Sequence, residues 1–405
     1  MNSEMNNTPK KRQRKLSPAL FLTIILIITL IGWTLPLPKI KAQSNYQYKS
    51  HPEAVSLDWP AYGQAAVGAR GYGLLDSHGT QVPAPMASIT KVITALAILQ
   101  KKPLSPGQQG ATIKITAEDV AIYNDYASKG GSVVRVSDGE LISEYQALQA
   151  LLLPSANNMA DTMARWAFGS VNNYVDYANS YVRQLGLKKT TLGDASGFSP
   201  KSVSTAEDLA TLGLAFMDNS TLRDIVSQQT AELPVAGSVS NTNWLLNTDG
   251  IIGIKTGNTE QAGGCYLFAA NRSIGGQDIT VIGAIMGAPD LNSAITDSRP
   301  LLHSINNGFS TISAAKKDQV IGAYVSKWGD TVDIISKDDV SVLTWKTRQV
   351  IASTDIVKDN VSLTKYQPIG KLTATSWDKK SSGDLIASNS LKAPSWQWRL
   401  YKRYF

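Results

Sequence analysis

The sequence predicts an α+β protein: an antiparallel sheet covered by helices, then a small all-β domain, with a hydrophobic helix at the N-terminus. Three observations support this fold class. Strand-like segments lie at both ends of residues 55–312, around a helix-rich stretch over 118–230. Short alternating segments separated by polar turns fill residues 316–405. Residues 19–35 are almost wholly apolar, and the chain of 405 residues is long enough for two domains.

The net charge of +7 belongs to the two ends of the chain. Residues 1–17 carry five basic side chains against Glu4, and residues 391–405 carry four with no acid, so each end contributes +4. The body between them is therefore near −1. Because the basic charge is not spread along the body, we expect no nucleic-acid partner and favour a membrane surface instead.

The cysteine and histidine content gives no pattern for a metal or redox site. Cys265 is the single cysteine and the three histidines are scattered, so there is no Cys-x-x-Cys or His-Glu-x-x-His motif. No Gly-x-Ser-x-Gly motif is present either. We expect an enzyme without a metal or a cofactor, whose proton carrier is not histidine.

The N-terminus is predicted to be a targeting segment. The basic tail 1–17 precedes the apolar segment 18–36, whose length fits a transmembrane anchor or, with cleavage after Ala42, a signal peptide. The charge bias keeps the N-terminus inside the cell and sends the body across the membrane. We predict a single-pass anchor with the body outside the cytoplasm, and secretion after cleavage is the alternative. Residues 37–54 are predicted to be a linker.

The elements of the body follow in order. Residues 66–79 predict two strands joined by a turn, and residues 86–100 predict a long apolar helix. Residues 266–270 and 279–285 predict two strands joined at Gly275-Gly276. Three short alternating strands are predicted in the C-terminal part, at 320–325, 331–335 and 340–345. The aromatic and basic tail 396–405 suits a closing strand or a contact with a membrane surface.

The first candidate motif is Ser88-Ile89-Thr90-Lys91, at the start of the predicted helix. Residues three apart lie on the same helix face, so the amine of Lys91 can reach the hydroxyl of Ser88. A serine nucleophile needs an adjacent base, and a lysine serves as that base when burial lowers its pKa. The alternative is a helix N-cap followed by a solvated lysine.

The second candidate motif is Ser155-Ala156-Asn157. Pro154 ends the apolar helix before it and places the motif on a loop. The Ser155 hydroxyl could relay a proton to a leaving amine, and the Asn157 amide could hold a peptide group of a substrate. The alternative is a helix cap or a turn.

The third candidate motif is Lys255-Thr256-Gly257, on a predicted edge strand that faces a cleft. A peptide can lie against such a strand by strand addition. Lys255 and Thr256 offer a cation and a hydroxyl for a terminal carboxylate, and Gly257 removes a side chain that would block the approach. The alternative is an ordinary strand with an exposed lysine.

The order and setting of the three motifs resemble the signature of the penicillin-recognising serine enzymes. Ser155 lies 67 residues after Ser88, and Lys255 lies 100 residues after Ser155. The segments that carry the likeness are similar to the serine-type D-Ala-D-Ala carboxypeptidases, the low-molecular-mass penicillin-binding proteins; they are 84–96, 151–157 and 253–264. The similarity runs from about residue 55 to 310 and is loose in the C-terminal domain.

The resemblance implies a β-lactamase/transpeptidase-like catalytic domain over 55–312 and a serine acyl-enzyme mechanism. Ser88 would attack the carbonyl between two D-alanines of a peptidoglycan stem peptide, and Lys91 would take its proton. Ser155, hydrogen-bonded to Lys91 and Lys255, would pass a proton to the leaving D-alanine. β-Lactam antibiotics would acylate the same serine.

The resemblance also implies the substrate-binding residues. Asn157 would hold the substrate backbone, while Lys255, Thr256 and the open Gly257 would bind its terminal carboxylate. The backbone N–H groups of Ser88 and Asn258 would form the oxyanion hole.

Three departures from the family pattern bear on the activity. Ala156 stands where glycine is frequent, and Asn258 stands where histidine is common. Pro289 follows Ala288 near the place where some members carry an arginine that assists carboxylate binding. This loss leaves an endopeptidase open as the alternative to a carboxypeptidase.

Two further alternatives are a β-lactamase and a non-catalytic wall-binding scaffold. A class A β-lactamase needs a deacylating glutamate after the second motif, and residues 158–200 contain no glutamate. All three motifs are intact, which argues against the scaffold.

Overall fold

The computed structural model of the chain describes residues 17–34 and 36–401. The helices are α1 (Pro18–Thr34), α2 (Thr90–Lys101), α3 (Ala117–Ser128), α4 (Glu144–Leu152), α5 (Asn157–Phe168), α6 (Val171–Gln184), α7 (Ala206–Asp218), α8 (Ser220–Val226), α9 (Leu291–Ile305) and α10 (Trp396–Tyr401). Two short 3-10 turns cover Ala87–Ile89 and Asn306–Gly308.

The strands lie mostly at the two ends of the chain. They are β1 (Ile40–Gln43), β2 (Tyr48–Lys49), β3 (Gln64–Ala69), β4 (Gly73–His78), β5 (Ala84–Pro85), β6 (Thr112–Lys114), β7 (Leu141–Ser143), β8 (Val203–Ser204), β9 (Thr230–Leu233), β10 (Gly237–Ser240), β11 (Ile251–Thr259), β12 (Gly263–Ile274), β13 (Gln277–Ala288), β14 (Phe309–Ala315), β15 (Val320–Val325), β16 (Thr331–Ser336), β17 (Val340–Trp345), β18 (Ile351–Ile356), β19 (Asp359–Asn360), β20 (Pro368–Ser376) and β21 (Lys379–Ala387).

A five-stranded antiparallel sheet organises the first part of the chain, in the order β11-β12-β13-β3-β4. Alternate residues face opposite sides, so Leu267 joins one core cluster while Phe268 joins the other. Helix α7 packs on the first side, where a Cβ on Gly213 would lie 2.6 Å from Ile282. Helix α9 covers the second side, where Ile295 is fully buried. The sheet is therefore buried on both faces, and the α+β prediction is confirmed.

The turn between β12 and β13 follows from its two glycines. Gly275 and Gly276 have φ values of +58° and +75°, a region that costs other residues about 1–2 kcal/mol. Two strands of twelve residues each can then pair along their whole length. The turn predicted at this place is confirmed.

Helix α2 is the most enclosed helix of the catalytic region. All ten residues from Thr90 to Leu99 are buried, because α4, α5, α6 and α7 pack around it. The helix predicted over 86–100 is confirmed, with a 3-10 turn over Ala87–Ile89 as its first part. This enclosure places Lys91 where water cannot solvate its amine.

The C-terminal part is built on an eight-stranded antiparallel sheet, in the order β19-β1-β15-β16-β21-β20-β18-β2. The three strands predicted at 320–325, 331–335 and 340–345 are confirmed as β15, β16 and β17. Strand β17 pairs with β14, with Phe309 opposite Trp345. The rings of these two residues meet edge to face, at 5.1 Å between centroids. This contact lies in the core cluster that also contains α9, so it ties the second domain to the first.

The linker predicted over residues 37–54 is wrong as a description of its structure. Strand β1 pairs with β15, with Ala42 opposite Tyr324, and β2 pairs with β18, with Tyr48 opposite Ala352. The buried Ile40 joins the core of the β domain. The β domain therefore takes strands from both ends of the chain, and polar composition alone could not reveal pairing partners so far away in sequence.

The two ends of the chain were predicted as an anchor and as a closing strand or membrane contact. Helix α1 covers 17 residues, Pro18–Thr34. Within residues 17–34 and 36–401, no helix combines the length and the apolar character that a membrane crossing requires. Residues 1–16 of the predicted basic tail 1–17 lie outside the described residues. Residues 396–401 form helix α10 rather than a strand, because Ser395 caps the backbone N–H of Trp398.

Ile40→Ala should destabilise the β domain if β1 is an integral strand. The side chain is fully buried, so its truncation leaves a cavity that costs about 2–5 kcal/mol. Lys41→Ala on the same strand is the matched control, because its side chain is exposed. Urea denaturation should show a lower midpoint for Ile40→Ala alone. Equal midpoints for both variants would contradict the assignment of β1 to the domain core.

Candidate active site

Ser88 and Lys91 come together at the start of α2. The 3-10 turn Ala87–Ile89 presents the partly exposed Ser88 at the surface of a cleft, and Lys91 lies one turn further into the helix. The Nζ atom of Lys91 is 2.8 Å from the Oγ atom of Ser88. The helical spacing that the sequence suggested thus places an amine in hydrogen-bond contact with the hydroxyl.

Lys91 is fully buried and has three oxygen partners. Besides Ser88, its Nζ atom donates to Asn157 Oδ1 at 2.7 Å and to the Ser196 carbonyl at 2.8 Å. Both of these oxygens can only accept. A neutral amine has two N–H groups for them, so its lone pair remains to accept the proton of the Ser88 hydroxyl. The arrangement is that of a general base in contact with its nucleophile.

Burial lowers the pKa of Lys91 to about 7, and the carboxylates of Asp194 and Asp161 partly oppose this shift. The desolvation of the ammonium is the larger effect. A substantial fraction of Lys91 is therefore neutral at pH 7, as a base for a serine hydroxyl must be.

Ser155 lies on the loop between α4 and α5, with a φ of +67°. This backbone conformation is uncommon for serine and is held by the fold, since the Ala156 N–H donates to the Ala150 carbonyl. Ser155 Oγ is buried and has no hydrogen-bond partner among the described residues. The expected hydrogen bonds from Lys91 and Lys255 are therefore absent. Lys91 directs its contacts to three other oxygens, and Lys255 Nζ lies 3.1 Å from the Thr256 carbonyl.

Asn157 is the first residue of α5, so it stands at the helix start and not within the loop as predicted. Its backbone N–H donates to the Ser132 carbonyl at 2.7 Å, which fixes the residue against the segment after α3. With its Oδ1 atom on Lys91, the Nδ2 group is left to meet a ligand in the cleft. A Cβ on Gly131 would lie 2.8 Å from Nδ2, so a side chain at 131 would occupy the space beside it.

Lys255, Thr256, Gly257 and Asn258 lie on β11, which is confirmed as the edge strand of the sheet. Lys255 is buried, and desolvation followed by repulsion from Lys91 holds its pKa well below the usual range. Thr256 Oγ1 shares a hydrogen bond of 2.6 Å with Thr242 Oγ1. The third motif thus offers a buried amine and a threonine hydroxyl, and Thr242 adds a second hydroxyl beside that of Thr256.

Gly257 allows β11 to approach the start of α2. A Cβ at this position would lie 3.0 Å from the Ser88 nitrogen and 3.1 Å from the Ala87 Cβ. Real Cβ contacts are rarely this short. The absence of a side chain therefore brings the backbone near Asn258 towards the backbone N–H of Ser88, as an oxyanion hole requires.

A cleft of about 570 Å³ reaches three of these groups. Ser88, Asn157 and Asn258 line its floor and one wall. Lys129 lies on its rim after α3, and Phe198 and Glu260 complete the rim. A ligand of peptide size can reach the Ser88 hydroxyl through this cleft.

The sequence prediction missed the loop that supports Lys91. The segment 194–199 provides the Ser196 carbonyl, and Asp194 holds the loop by accepting from the backbone N–H groups of Phe198 and Ser199. Thr94 on α2 donates to the Ala195 carbonyl at 2.7 Å. An aspartate followed by serine and glycine predicts a turn, but a backbone carbonyl that accepts from a distant lysine leaves no sequence signal.

Asp161, Tyr126 and Thr242 were also missed. Asp161 follows Asn157 by four residues on α5, which places both on one helix face. That spacing was the available signal for Asp161. Tyr126 and Thr242 reach the site from α3 and from the loop before β11, and no local pattern marks them.

The fold and the site define a class: serine enzymes of acyl transfer that use a buried lysine as base. The chain belongs to the D-alanyl-D-alanine carboxypeptidase family, peptidase S11, whose profile matches residues 69–290. This match covers all three motifs.

Curated relatives agree with this family. The chain is 24% identical to the D-alanyl-D-alanine carboxypeptidase DacF of Bacillus subtilis, over 76% of this chain and 78% of the relative. It is 27% identical to DacA of Escherichia coli, over 70% of this chain and 72% of the relative. A D-alanyl-D-alanine endopeptidase of Pseudomonas aeruginosa is 32% identical, over 53% of this chain and 69% of the relative.

Solved structures match both parts of the fold. A mutant of the Streptomyces K15 DD-transpeptidase has 26% identity and a TM-score of 0.53, and the match covers 60% of this chain and 96% of that one. Penicillin binding protein 5 of Haemophilus influenzae has 22% identity and a TM-score of 0.57, over 85% of this chain and 100% of that one. The second match shows the fold alone and extends beyond the catalytic domain.

Gly257→Ala should slow the acylation of Ser88 by a fluorescent penicillin by roughly 10- to 100-fold, because the new methyl group separates the two oxyanion donors. Asn258→Ala is the matched control: it also leaves a methyl group, but it keeps the backbone N–H and removes an exposed side chain. Gel fluorescence over time measures both rates. An unaffected Gly257→Ala variant would show that the approach of β11 to Ser88 is not needed.

Proposed function

We propose that this protein is a serine D-Ala-D-Ala carboxypeptidase that removes the terminal D-alanine from peptidoglycan stem pentapeptides through an acyl-enzyme on Ser88. The observation that carries the proposal is the position of Lys91. Its amine touches the Ser88 hydroxyl while two carbonyl oxygens occupy its N–H groups. The family membership of residues 69–290 agrees with this activity.

Acylation begins when the Ser88 hydroxyl gives its proton to Lys91 Nζ. Ser88 Oγ then forms a bond to the carbonyl carbon between the two D-alanines. The backbone N–H groups of Ser88 and Asn258 hold the resulting oxyanion. The C–N bond breaks as the leaving amine takes a proton, and D-alanine departs. Water then attacks the ester carbonyl and gives a proton to Lys91, and Ser88 Oγ takes that proton from Lys91 as its bond to the acyl group breaks.

Ser155 is proposed to carry the proton from Lys91 to the leaving amine. Its hydroxyl is buried and has no partner in the free site, so both its proton and its lone pairs are available to a substrate. Asn157 is proposed to hold the peptide backbone of the substrate through Nδ2.

Lys255 and Thr256 are proposed to bind the terminal carboxylate. A buried amine with a low pKa gains its proton when an anion arrives, because the opposite charge favours the ammonium form. Thr256 and Thr242 add hydroxyl donors beside it. A β-lactam presents a carboxylate and a reactive carbonyl in the same places and would acylate Ser88.

The second candidate function is a DD-endopeptidase on the same site. Strand β13 ends at Ala288 with no basic side chain where some family members carry an arginine. Carboxylate recognition then rests on Lys255 and the hydroxyls of Thr256 and Thr242, without a second cation, which lowers the advantage of a free C-terminus. The similarity to the endopeptidase of Pseudomonas aeruginosa agrees with this alternative.

Mass spectrometry of a stem pentapeptide and of a cross-linked muropeptide dimer tests the two candidates. The wild type should release one alanine from the pentapeptide, and Ser88→Ala should release none because it lacks the nucleophile. Ser180→Ala, an exposed serine on α6, is the matched control and should behave as wild type. Cleavage of the dimer without alanine release would favour the endopeptidase. Activity retained by Ser88→Ala would refute both.

We further propose that the chain acts outside the cytoplasm and is held at the membrane by residues 18–36. The large apolar side chains of α1, such as Phe21 and Leu26, are 61% and 62% exposed. An exposed apolar helix is stabilised by transfer into lipid.

Cell fractionation of the full chain, compared with a chain that carries a cleavable leader in place of residues 1–36, tests this localisation. The full chain should sediment with membranes and resist high salt, while the second chain should appear in the extracytoplasmic soluble fraction. Recovery of the full chain in a soluble fraction would contradict the membrane tether.

A further inference from the structure

A carboxylate that the proposed mechanism does not use lies behind the catalytic lysine. Asp161 is on α5, four residues after Asn157, so the two side chains lie on one face of the helix. Asn157 holds Lys91 at 2.7 Å. Asp161 is therefore one helical turn from a direct partner of the base.

Hydrogen bonds link Asp161 to Ser196, the residue whose carbonyl accepts from Lys91. Tyr126 donates its hydroxyl proton to Asp161 Oδ2 at 3.0 Å. The same hydroxyl oxygen lies 3.3 Å from Ser196 Oγ. The carbonyl of Ser196 accepts from Lys91 at 2.8 Å. Asp161 is thus connected through Tyr126 on α3 to Ser196, whose carbonyl is a partner of the base.

The two carboxylates near Lys91 differ in how well they are satisfied. Asp194 accepts from several backbone N–H groups and hydroxyls of its own loop, including Gly197 and Phe198. Asp161 has the Tyr126 hydroxyl on one oxygen, and its buried Oδ1 has no partner among the described residues. Asp194 therefore serves to hold a loop, whereas Asp161 keeps a charge beside the base with little local structure depending on it.

The other charged groups near Asp161 are engaged elsewhere. Arg165, one turn further on α5, pairs with Asp119 at 2.8 Å and also with Glu118. Lys129 pairs with Asp125 at 2.6 Å on the rim. The groups that face Asp161 from the packed elements are Lys91 of α2, Tyr126 of α3, Arg165 of its own helix and Asp194 of the loop.

We propose that Asp161 is a positioning residue for the reaction. Its carboxylate places a negative charge near Lys91 and so sets the pH below which Lys91 can no longer take the proton of Ser88. This inference rests on the proposed function, in which Lys91 is the base. Asp161 touches neither the substrate nor Ser88. It acts through the charge state of Lys91.

The direction of the effect follows from electrostatics. An ionised Asp161 favours the ammonium form of Lys91 and raises its pKa. The acid limb of the pH–rate profile, where the rate falls because Lys91 becomes protonated, therefore moves to higher pH. Burial raises the pKa of Asp161 itself to about 6, against the hydrogen bond from Tyr126, which lowers it. Above pH 6 the carboxylate is ionised and exerts its effect in the range where Lys91 titrates.

The test is the pH dependence of the second-order rate constant for acylation of Ser88 by a fluorescent penicillin. In the wild type this constant should fall below about pH 7, because the amine with a pKa of about 7 becomes protonated. Asp161→Asn should move the acid limb down by roughly one pH unit, since it removes one nearby negative charge. Its rate at high pH should stay close to that of the wild type.

Two variants separate charge from structure. Asp176→Asn makes the same chemical change at an exposed site on α6 and should leave the acid limb in place. Asp161→Glu keeps the charge and should restore the wild-type limb. The side chain borders a pocket of about 470 Å³, which leaves room for one more methylene group.

An acid limb of Asp161→Asn that coincides with the wild-type limb, or that moves upward, would overturn the proposal. A uniform loss of rate with an unmoved limb would also overturn it. If Asp161→Asn does not fold, Tyr126→Phe is measured instead. Loss of the Tyr126 hydrogen bond favours the neutral form of Asp161, so the limb should again move down, by less, and an unmoved limb contradicts the inference.

Failure of the proposed function has a different signature. In that case the wild type is not acylated at any pH, or Ser88→Ala is acylated equally. Either result concerns the identity of the nucleophile and leaves no acid limb to compare.

Discussion

The burial of Lys91 is the constraint on which the rest of the site depends. A lysine amine is stable in a closed helical core only if it can be neutral or has oxygen partners for every N–H. Here the structure provides both, because Asn157 Oδ1 and the Ser196 carbonyl take the two N–H groups of the neutral amine. The remaining lone pair faces Ser88. The same burial that would be costly for an ammonium therefore lowers the pKa of the amine, which is the property that the proposed base requires.

The fold secures this burial from several sides. Helix α2 is enclosed by four helices, and the loop 194–199 closes over it through the bond from Thr94 to Ala195. Gly197 makes this closure possible, because a Cβ there would lie 1.8 Å from the Ala87 carbonyl. The site is thus assembled from a helix start, a loop and an edge strand that are far apart in sequence, and packing of the sheet and helices fixes their distances.

Local patterns in the sequence predicted the elements of the site but not their contacts. The spacing of Ser88 and Lys91 is internal to one helix, so the hydrogen bond between them follows from helical geometry alone. The position of Lys255 on an edge strand was predicted from the alternation of residue types around it and from the glycines that flank it. In contrast, the partners expected for Ser155 came from resemblance, and the structure gives its hydroxyl none among the described residues.

The features that the sequence analysis missed have a common physical cause. Strands β1 and β2 depend on pairing with residues about 300 positions away, and the contact of Lys91 with Ser196 depends on a backbone atom that every residue possesses. Neither kind of contact can be recognised from the amino-acid composition of the segments that make it. A strand was one of the two predictions for residues 396–401, because alternation of apolar and polar residues over six positions does not separate a strand from a helix. Helix α10 begins there because Ser395 caps its first turn.

The two buried lysines also connect the proposed binding of the substrate carboxylate with the physical chemistry of the site. Burial lowers the pKa of Lys255 in the free site, and repulsion from Lys91 lowers it further. A substrate carboxylate beside Lys255 favours the ammonium form there. In the proposed function, the carboxylate of the substrate would therefore place an opposite charge beside the buried amine of Lys255 and offset the desolvation that lowers its pKa.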